Sequence, residues 1–367
     1  MLRPAENPLF DDLASWVRSR GGFVGSITAV GSGSSRGMVA TSALAAGELL
    51  LRLPHAACLG DAVARKTRSG AAVLAGWEGP GREAVALTAA LVELREAGAA
   101  EWLPYLATLP ARVEGNPASY ALAERLAFAG TAVGPLLRDL ALRHHDEWLW
   151  LRGCSELPPS FSAQDWADAR ALVTSRQHFL HPYEGTALVP VGDLFNHARR
   201  PDVAWTFDRD RGVFEVHARG AVPAGTPLHT SYGAKSNSRL LVHYGFTLAE
   251  NADDDVLVDF GCHGVAAMGY PRGGGDIPGI RRALRIDGGT PAQRRRGWRQ
   301  LARLLLRERA ELPVVPAGHP AAVDLGRIVA GERAVLDTWL RRCSAGVEQV
   351  VERGASGGRR FRLPVGQ

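Results

Sequence analysis

Four groups of side chains in this sequence have the types and spacing to do chemistry. The apolar run VPVGDLFNH ends in Asn196 and His197, with Asp193 three residues before the asparagine. Tyr232 and Tyr244 lie twelve residues apart, and each is followed by a glycine. Arg176 closes a helical stretch at TSRQHF, and the turn GSGSSRG contains Ser34, Ser35, Arg36 and Gly37. An asparagine amide both donates and accepts hydrogen bonds, a histidine offers ring and backbone, and a guanidinium pairs well with a carboxylate. These groups hold and orient a ligand. Taken singly, each has a plainer explanation: an Asx turn for Asn196-His197, a dipole-stabilising arginine at a helix end for Arg176, buried tyrosines with satisfied hydroxyls, and a hairpin for the Gly/Ser turn. A turn does not explain why an apolar strand runs straight into the Asn-His pair.

The elements that must position these residues show in the periodicity. Residues 9–20 form a short amphipathic helix with Phe10, Leu13 and Val17 on one face. From Gly22 to Leu53 the texture is β, with FVGSITAV, MVAT and ELLLRLP separated by turns. Residues 60–150 are helical in texture, with Leu87, Leu91 and Leu94 at helical spacing and a further helix over Arg143–Leu151. A helix is expected over 163–180. Strand texture then returns in TALVPVGDLFNH, DVAWTFD, GVFEVHA and PLHTSYG, followed by a short helix over Lys235–Tyr244. Beyond residue 255 the pattern is helical. Trp298, Leu301 and Leu305 share a face, and Val329, Leu336, Leu340, Cys343, Val347 and Val350 form a buried stripe. The last dozen residues are Gly- and Arg-rich and read as loose.

Composition bounds the possibilities. With 46% hydrophobic and 22% charged residues the chain is globular, and a length of 367 suits two domains or one with a large insertion. The net charge of +5 favours acidic partners. Only Lys66 and Lys235 are lysines, so the arginine content is compositional, and RRRGWRQ at 294–300 reads as the polar face of a helix. Cys58, Cys154, Cys262 and Cys343 lie far apart with no CxxC pair, which suits a reducing compartment and argues against zinc. The N-terminus carries acids and no apolar core of a signal peptide, and no run of 18 apolar residues occurs.

Five segments in order resemble the SET-domain family, in the branch typified by the Rubisco large-subunit lysine methyltransferase. They are SSRGMVATSALAAGELLLRLP (Ser34–Pro54), EWLPYLATLP (Glu101–Pro110), TSRQHF (Thr174–Phe179), VPVGDLFNH (Val189–His197) and GTPLHTSYGAKSNSRLLVHYGF (Gly225–Phe246). Ser35 stands where the family usually has a glycine, and Thr226 where it has a glutamate. The resemblance implies an α+β SET fold of small β-sheets with a pseudoknot, a SET domain over 20–250 with a helical insert at about 60–170, and a helical C-terminal substrate-binding domain over 255–367.

It also implies S-adenosyl-L-methionine as cofactor and no metal. Ser34, Ser35, Arg36, Gly37, Arg176, Asn196, His197 and Tyr232 would hold the cofactor. Tyr232 would be catalytic, with Asp193 on the acceptor side and Tyr244 and Phe246 lining an acceptor channel; Trp205 and Phe207 are further aromatic candidates. EWLPYLATLP is expected to be a structural anchor. The implied activity is protein-lysine N-methylation of a folded protein. The alternatives are histidine N-methylation, or an inactive SET-type protein-binding module. The expected partner is a protein substrate, without nucleic acid or membrane, and the chain is expected to be a monomer in the cytoplasm, with nucleus and organelles left open.

Overall fold

The computed structural model describes residues 7–31, 36–154, 156–158, 160–181, 185–261, 264–269 and 278–356. The chain forms two compact units. One comprises residues 1–119, 139–234 and 243–245; the other comprises 120–138, 235–242 and 246–367.

Among the described residues of the first unit are ten short strands, all but β5 in the expected β texture: β1 (Phe23–Val24), β2 (Ile27–Val30), β3 (Gly37–Ala40), β4 (Leu49–Pro54), β5 (Gln177–His181), β6 (Gly185–Leu188), β7 (Asn196–His197), β8 (Val203–Asp208), β9 (Val213–Ala218) and β10 (Pro227–Thr230). They form two four-stranded sheets, ordered β1-β4-β9-β8 and β2-β3-β10-β7, and a β5-β6 hairpin. Alternation sets the buried face: in β2, Ile27 and Ala29 point inward and Thr28 and Val30 less so. One core unites β2–β4 (Met38, Leu51, Leu53) with β9 (Phe214, Val216) and the helix Pro8–Ser19, whose Phe10, Leu13 and Val17 are buried as the spacing requires. Burying apolar surface of this kind contributes roughly 25 cal/mol per Å². A second core forms in the helical insert, where Arg82–Glu96 packs against Ala163–Arg176 around Trp166.

The α+β architecture of small sheets around a helical insert expected from sequence is the one observed, with two local corrections. The helix expected over 163–180 stops at Arg176: Gln177 is already extended (φ −68°, ψ 143°) and pairs with Leu188 in the β5-β6 hairpin. Its start is well marked, because the Ser162 Oγ accepts from the Asp165 N–H and the Asp165 carboxylate accepts from the Ser162 N–H.

The second unit contains the long helices Pro291–Glu311 and Ala322–Ser356, with a hairpin of β11 (Asp255–Asp259) and β12 (Val265–Gly269) that the sequence pattern beyond 255 did not suggest. Five residues of DVLVD bury only Val256 and Val258, too short an alternation to stand out beside helical segments. Trp339 donates from Nε1 to the Gly269 carbonyl at 2.8 Å, tying β12 to the long helix. Of the expected stripe, Val329, Leu336, Cys343 and Val350 are buried, whereas Leu340 and Val347 are half-buried.

The same helix buries a carboxyl. Glu332 is 2% exposed; its Oε1 accepts from the Ala132 N–H (2.8 Å) and the Ser238 hydroxyl (3.3 Å), and its Oε2 has no hydrogen-bond partner among the described residues. Burial lifts this carboxyl to about 8 against those two hydrogen bonds, with Asp255 and Asp254 adding to the rise. A carboxyl raised in the folded state costs nothing below its ordinary value near 4.5, and its cost grows as pH climbs towards about 8. Glu332→Gln keeps the acceptor oxygen and removes the charge. It is expected to stabilise the protein by about 2 kcal/mol near pH 8 and by almost nothing near pH 4.5. Chemical denaturation at both pH values checks this; an equal effect at both contradicts it.

Candidate active site

Short parallel pairing brings the two most distant candidate segments together. β10 lies between β3 and β7, parallel to β7, with His229 opposite Asn196 and Thr230 opposite His197. The Ala198 N–H donates to the Thr230 carbonyl at 2.9 Å and extends the pairing. On the other flank, Asp202 accepts from both the backbone N–H (3.0 Å) and the ring Nδ1 (2.9 Å) of His229.

The chain then turns so that Tyr232 reaches back across β7. Its N–H donates to His197 Nδ1 at 3.0 Å, which leaves the ring proton of a neutral His197 on Nε2. Its hydroxyl donates to the Phe195 carbonyl at 3.0 Å, one residue before Asn196. The Tyr232 ring is sandwiched: His197 stacks at 5.2 Å between centroids and Tyr244 at 4.7 Å. Burial pushes the Tyr232 phenol above its ordinary value, partly offset by Arg176, so the hydroxyl stays protonated at neutral pH. Burial likewise raises Tyr244.

Tyr244 is held in this stack by its following residue. Gly245 is left-handed (φ +79°), and a Cβ there would run into the Glu114 carbonyl; Gly115 (φ +73°) packs equally tightly against Gly245 from the other side.

Across β7, Asn196 Nδ2 donates to the Arg36 carbonyl at 2.8 Å. A Cβ on Gly37 would lie 3.0 Å from the same Nδ2, so glycine there lets the Asn196 amide approach the β3 backbone. The Arg36 side chain runs inward and donates to the Thr108 carbonyl. Its guanidinium is held below its ordinary value by burial first and by the positive charge of Arg176 second, against Asp193 and Tyr105. Two guanidiniums therefore converge on one carboxylate.

That carboxylate is Asp193. It sits in the short 3-10 turn Gly192–Leu194, which follows Val191. Val191 is fully buried and has φ +69°, rare for a β-branched residue and worth about 1–3 kcal/mol of strain. The surrounding bonds impose it: Asp193 N–H to Val189 carbonyl (2.9 Å) and Leu194 N–H to Val191 carbonyl (3.1 Å). Arg176 Nη1 donates to the Asp193 carbonyl (3.0 Å) and to its Oδ2 (3.4 Å), while the Tyr105 hydroxyl donates to Oδ2 at 2.9 Å. Arg176 Nε and Asp193 Oδ1 are buried with no hydrogen-bond partner among the described residues.

Asn196, His197, Tyr232 and Tyr244 thus meet, as do Arg36, Gly37 and Asn196, and Arg176 joins through Asp193. Three sequence expectations are placed differently. Asp193 was expected on the acceptor side; its side chain is 0% exposed and held by Arg176 and Tyr105. Trp205 stacks on Phe214 (5.3 Å) and Phe207 meets His55 edge-on (5.6 Å), both packed against the core of the sheet that carries them. EWLPYLATLP is more than an anchor, because Tyr105 is one of the groups that fix Asp193. Its signal was present: a tyrosine set among apolar residues, once buried, must find a partner for its hydroxyl. Phe246 is half-buried and belongs to the second unit, directly after Gly245. Ser34 and Ser35 lie outside the described residues. Among the described residues no group of three or more His, Cys, Asp or Glu could hold a metal.

Tyr105→Phe removes a donor from a buried carboxylate and is expected to cost about 2 kcal/mol of stability. A denaturation curve indistinguishable from that of the unaltered protein would contradict the assigned bond.

Residues 35–233 match the family model described as SET domain, more than half of the chain. The chain belongs to the SET-domain family. The SET fold is shared with the Rubisco LSMT SET domain solved with lysine and AdoHcy (TM-score 0.78, 14% identity, 95% of this chain and 94% of that one). It is shared equally with Rubisco LSMT bound to AdoMet (TM-score 0.76, 14% identity, 97% and 98%). At that identity the likeness is one of fold. Among curated SET proteins, N-lysine methyltransferase SETD6 of Homo sapiens is 26% identical over 284 residues (68% of this chain, 58% of that protein). Actin-histidine N-methyltransferase of Danio rerio is 27% identical over 174 residues (44% and 29%). Protein SET DOMAIN GROUP 40 of Arabidopsis thaliana is 32% identical over 134 residues, and the SET chain described here spans 27% of its length.

Proposed function

We propose that this SET-domain chain is an S-adenosylmethionine-dependent protein-lysine N-methyltransferase. The observation that carries the reading is the Tyr232 hydroxyl bound to the Phe195 carbonyl, one residue from the Asn196 amide, inside an aromatic stack.

The residues present fit the cofactor. Its amino-acid carboxylate suits the site's excess positive charge, two guanidiniums against one carboxylate, with Arg176 Nε still unpartnered. The close approach of Gly37 and Asn196 forms a narrow cradle lined by backbone groups. Arg36, Gly37, Arg176, Asn196 and His197 would hold it. When bound, the cofactor supplies an activated methyl group on a positively charged sulfur.

The chain's own residues have the acceptor to prepare. A lysine side chain with a pKa near ~10.4 costs about 4 kcal/mol to deprotonate at pH ~7.4. The Tyr232–Tyr244 stack lowers that cost by stripping water from the ammonium. Tyr232 orients the acceptor through its hydroxyl and acts as no base, since burial keeps its proton on. The Phe195 carbonyl adds an oxygen to the rim that can accept weak C–H···O contacts.

Lysine is favoured by the intact Tyr244-Gly245-Phe246 run and by the longer span shared with the human N-lysine methyltransferase than with the actin-histidine enzyme. A histidine acceptor is neutral more readily and needs less desolvation. The retention of Tyr232, Asn196 and His197 in one place speaks against an inactive binding module. The protein acceptor is taken to be folded, because the helical second unit suits a folded surface better than a short tail. Incubating the protein with cell lysate and methyl-labelled S-adenosylmethionine, followed by amino-acid analysis, tests this: labelled methyl-lysine is expected. Label in methyl-histidine would move the assignment to histidine, and absence of transfer would leave only a binding module.

A further inference from the structure

The helix Pro291–Glu311 has two opposed faces. Trp298, Leu301 and Leu305 are buried towards the helix Ala322–Ser356. Away from them, Arg295, Arg299 and Arg303 follow one another at successive turns, and with Arg296 and Gln300 they line an open cleft of about 780 Å³. From Arg295 to Arg303 the row spans about 12 Å at 1.5 Å per residue.

No ion pair or hydrogen bond among the described residues engages the side chain of Arg295, Arg296, Arg299 or Arg303. By contrast, Arg281, Arg307 and Arg309 are paired with Asp287, Glu308 and Asp337. Like charges four residues apart on a helix repel by a few tenths of a kcal/mol each. A single glutamate among them would relieve that repulsion, yet no acid occurs between Pro291 and Arg307. Across the whole chain 43 basic residues face 38 acidic ones, so arginine-rich composition alone does not produce a row without acids.

The row is also bounded. Asp287 precedes the helix, and Glu308 and Glu311 close it. A long polyanion such as a nucleic-acid strand would outrun this row of about 12 Å. A short anionic segment would not. We propose that this face docks a short acidic, carboxylate-bearing segment of the protein that the chain methylates. This rests on the proposed function for the identity of the partner as substrate, and on the unpaired arginine row for its chemistry. Guanidiniums engage carboxylates bidentately, and a set of such pairs fixes orientation as well as affinity.

The test measures fluorescence anisotropy of a labelled octaglutamate peptide and of a labelled single-stranded oligonucleotide of equal charge, each titrated with the full chain. Two triple variants are compared: Arg295→Gln/Arg299→Gln/Arg303→Gln, and Arg82→Gln/Arg138→Gln/Arg143→Gln as an equal loss of charge elsewhere. The expected result is peptide binding weakened at least tenfold by the first set and less than twofold by the second. Equal weakening by both sets, no weakening by the first, or tighter binding of the oligonucleotide than of the peptide would overturn the proposal. S-adenosylhomocysteine binding is measured on the same proteins and should be unchanged by the first set. If the unaltered chain fails to bind it, the methyl-transfer reading falls, and the peptide comparison still decides whether this face takes carboxylates.

Discussion

Tyr232→Phe is expected to slow methyl transfer about 10²-fold while changing cofactor affinity less than threefold. The substitution leaves both ring stacks in place and removes one atom, the hydroxyl held on the Phe195 carbonyl. In the proposed function that atom fixes where an acceptor nitrogen can sit, and misplacement on the order of 1 Å costs about 10²-fold in rate. Because burial holds the phenol above its ordinary value, the unaltered enzyme should show no break in rate from Tyr232 ionisation in the neutral range. Single-turnover kinetics beside a binding titration separates the two quantities. An unchanged rate would remove Tyr232 from the reaction, and a parallel loss of cofactor affinity would make it a binding residue only.

Gly245→Ala is expected to destabilise the protein by about 3 kcal/mol and to abolish transfer with it. Two costs add at this position. An alanine at φ +79° costs roughly 1–2 kcal/mol. Its Cβ also meets the Glu114 carbonyl, a backbone atom that can yield only by moving the 113–115 segment. Either adjustment displaces Tyr244 from Tyr232. Gly212, also left-handed (φ +60°) but with open space around its Cβ position, supplies the comparison: alanine there should lose only the conformational part. Denaturation of both variants checks the difference, and equal losses would show that the contact with Glu114 contributes nothing.

What could be read from sequence was local pattern. An apolar run leads into Asn196, the strand Pro227–Thr230 just before Tyr232 alternates, the helix Pro8–Ser19 has a clean apolar face, and the Asn-His and Tyr-Gly pairs stand out as residue types. What could not be read was set by partners far along the chain. Tyr105 lies 88 residues from Asp193, and no periodicity links them. Asp193 reads as a free carboxylate beside a binding motif, and only the turn after the strained Val191 shows that it faces inward. The helix expected to reach residue 180 stops at Arg176 because Gln177 finds a strand partner in Leu188, a choice made by tertiary pairing over local propensity. The arginines of 294–300 read as a polar face, and polar they are. That Arg295, Arg296, Arg299 and Arg303 lack acidic partners among the described residues emerges only from the placement of the neighbouring side chains.

In the proposed function Asn196, on β7 beside β10, helps to form a cofactor cradle with Gly37, Arg36 and Arg176. Calorimetric titration of S-adenosylhomocysteine into the protein and into Asn196→Ala tests it most directly. Saturable one-site binding that weakens at least tenfold in the variant is the predicted result. Absence of binding, or equal affinity in both proteins, would contradict it.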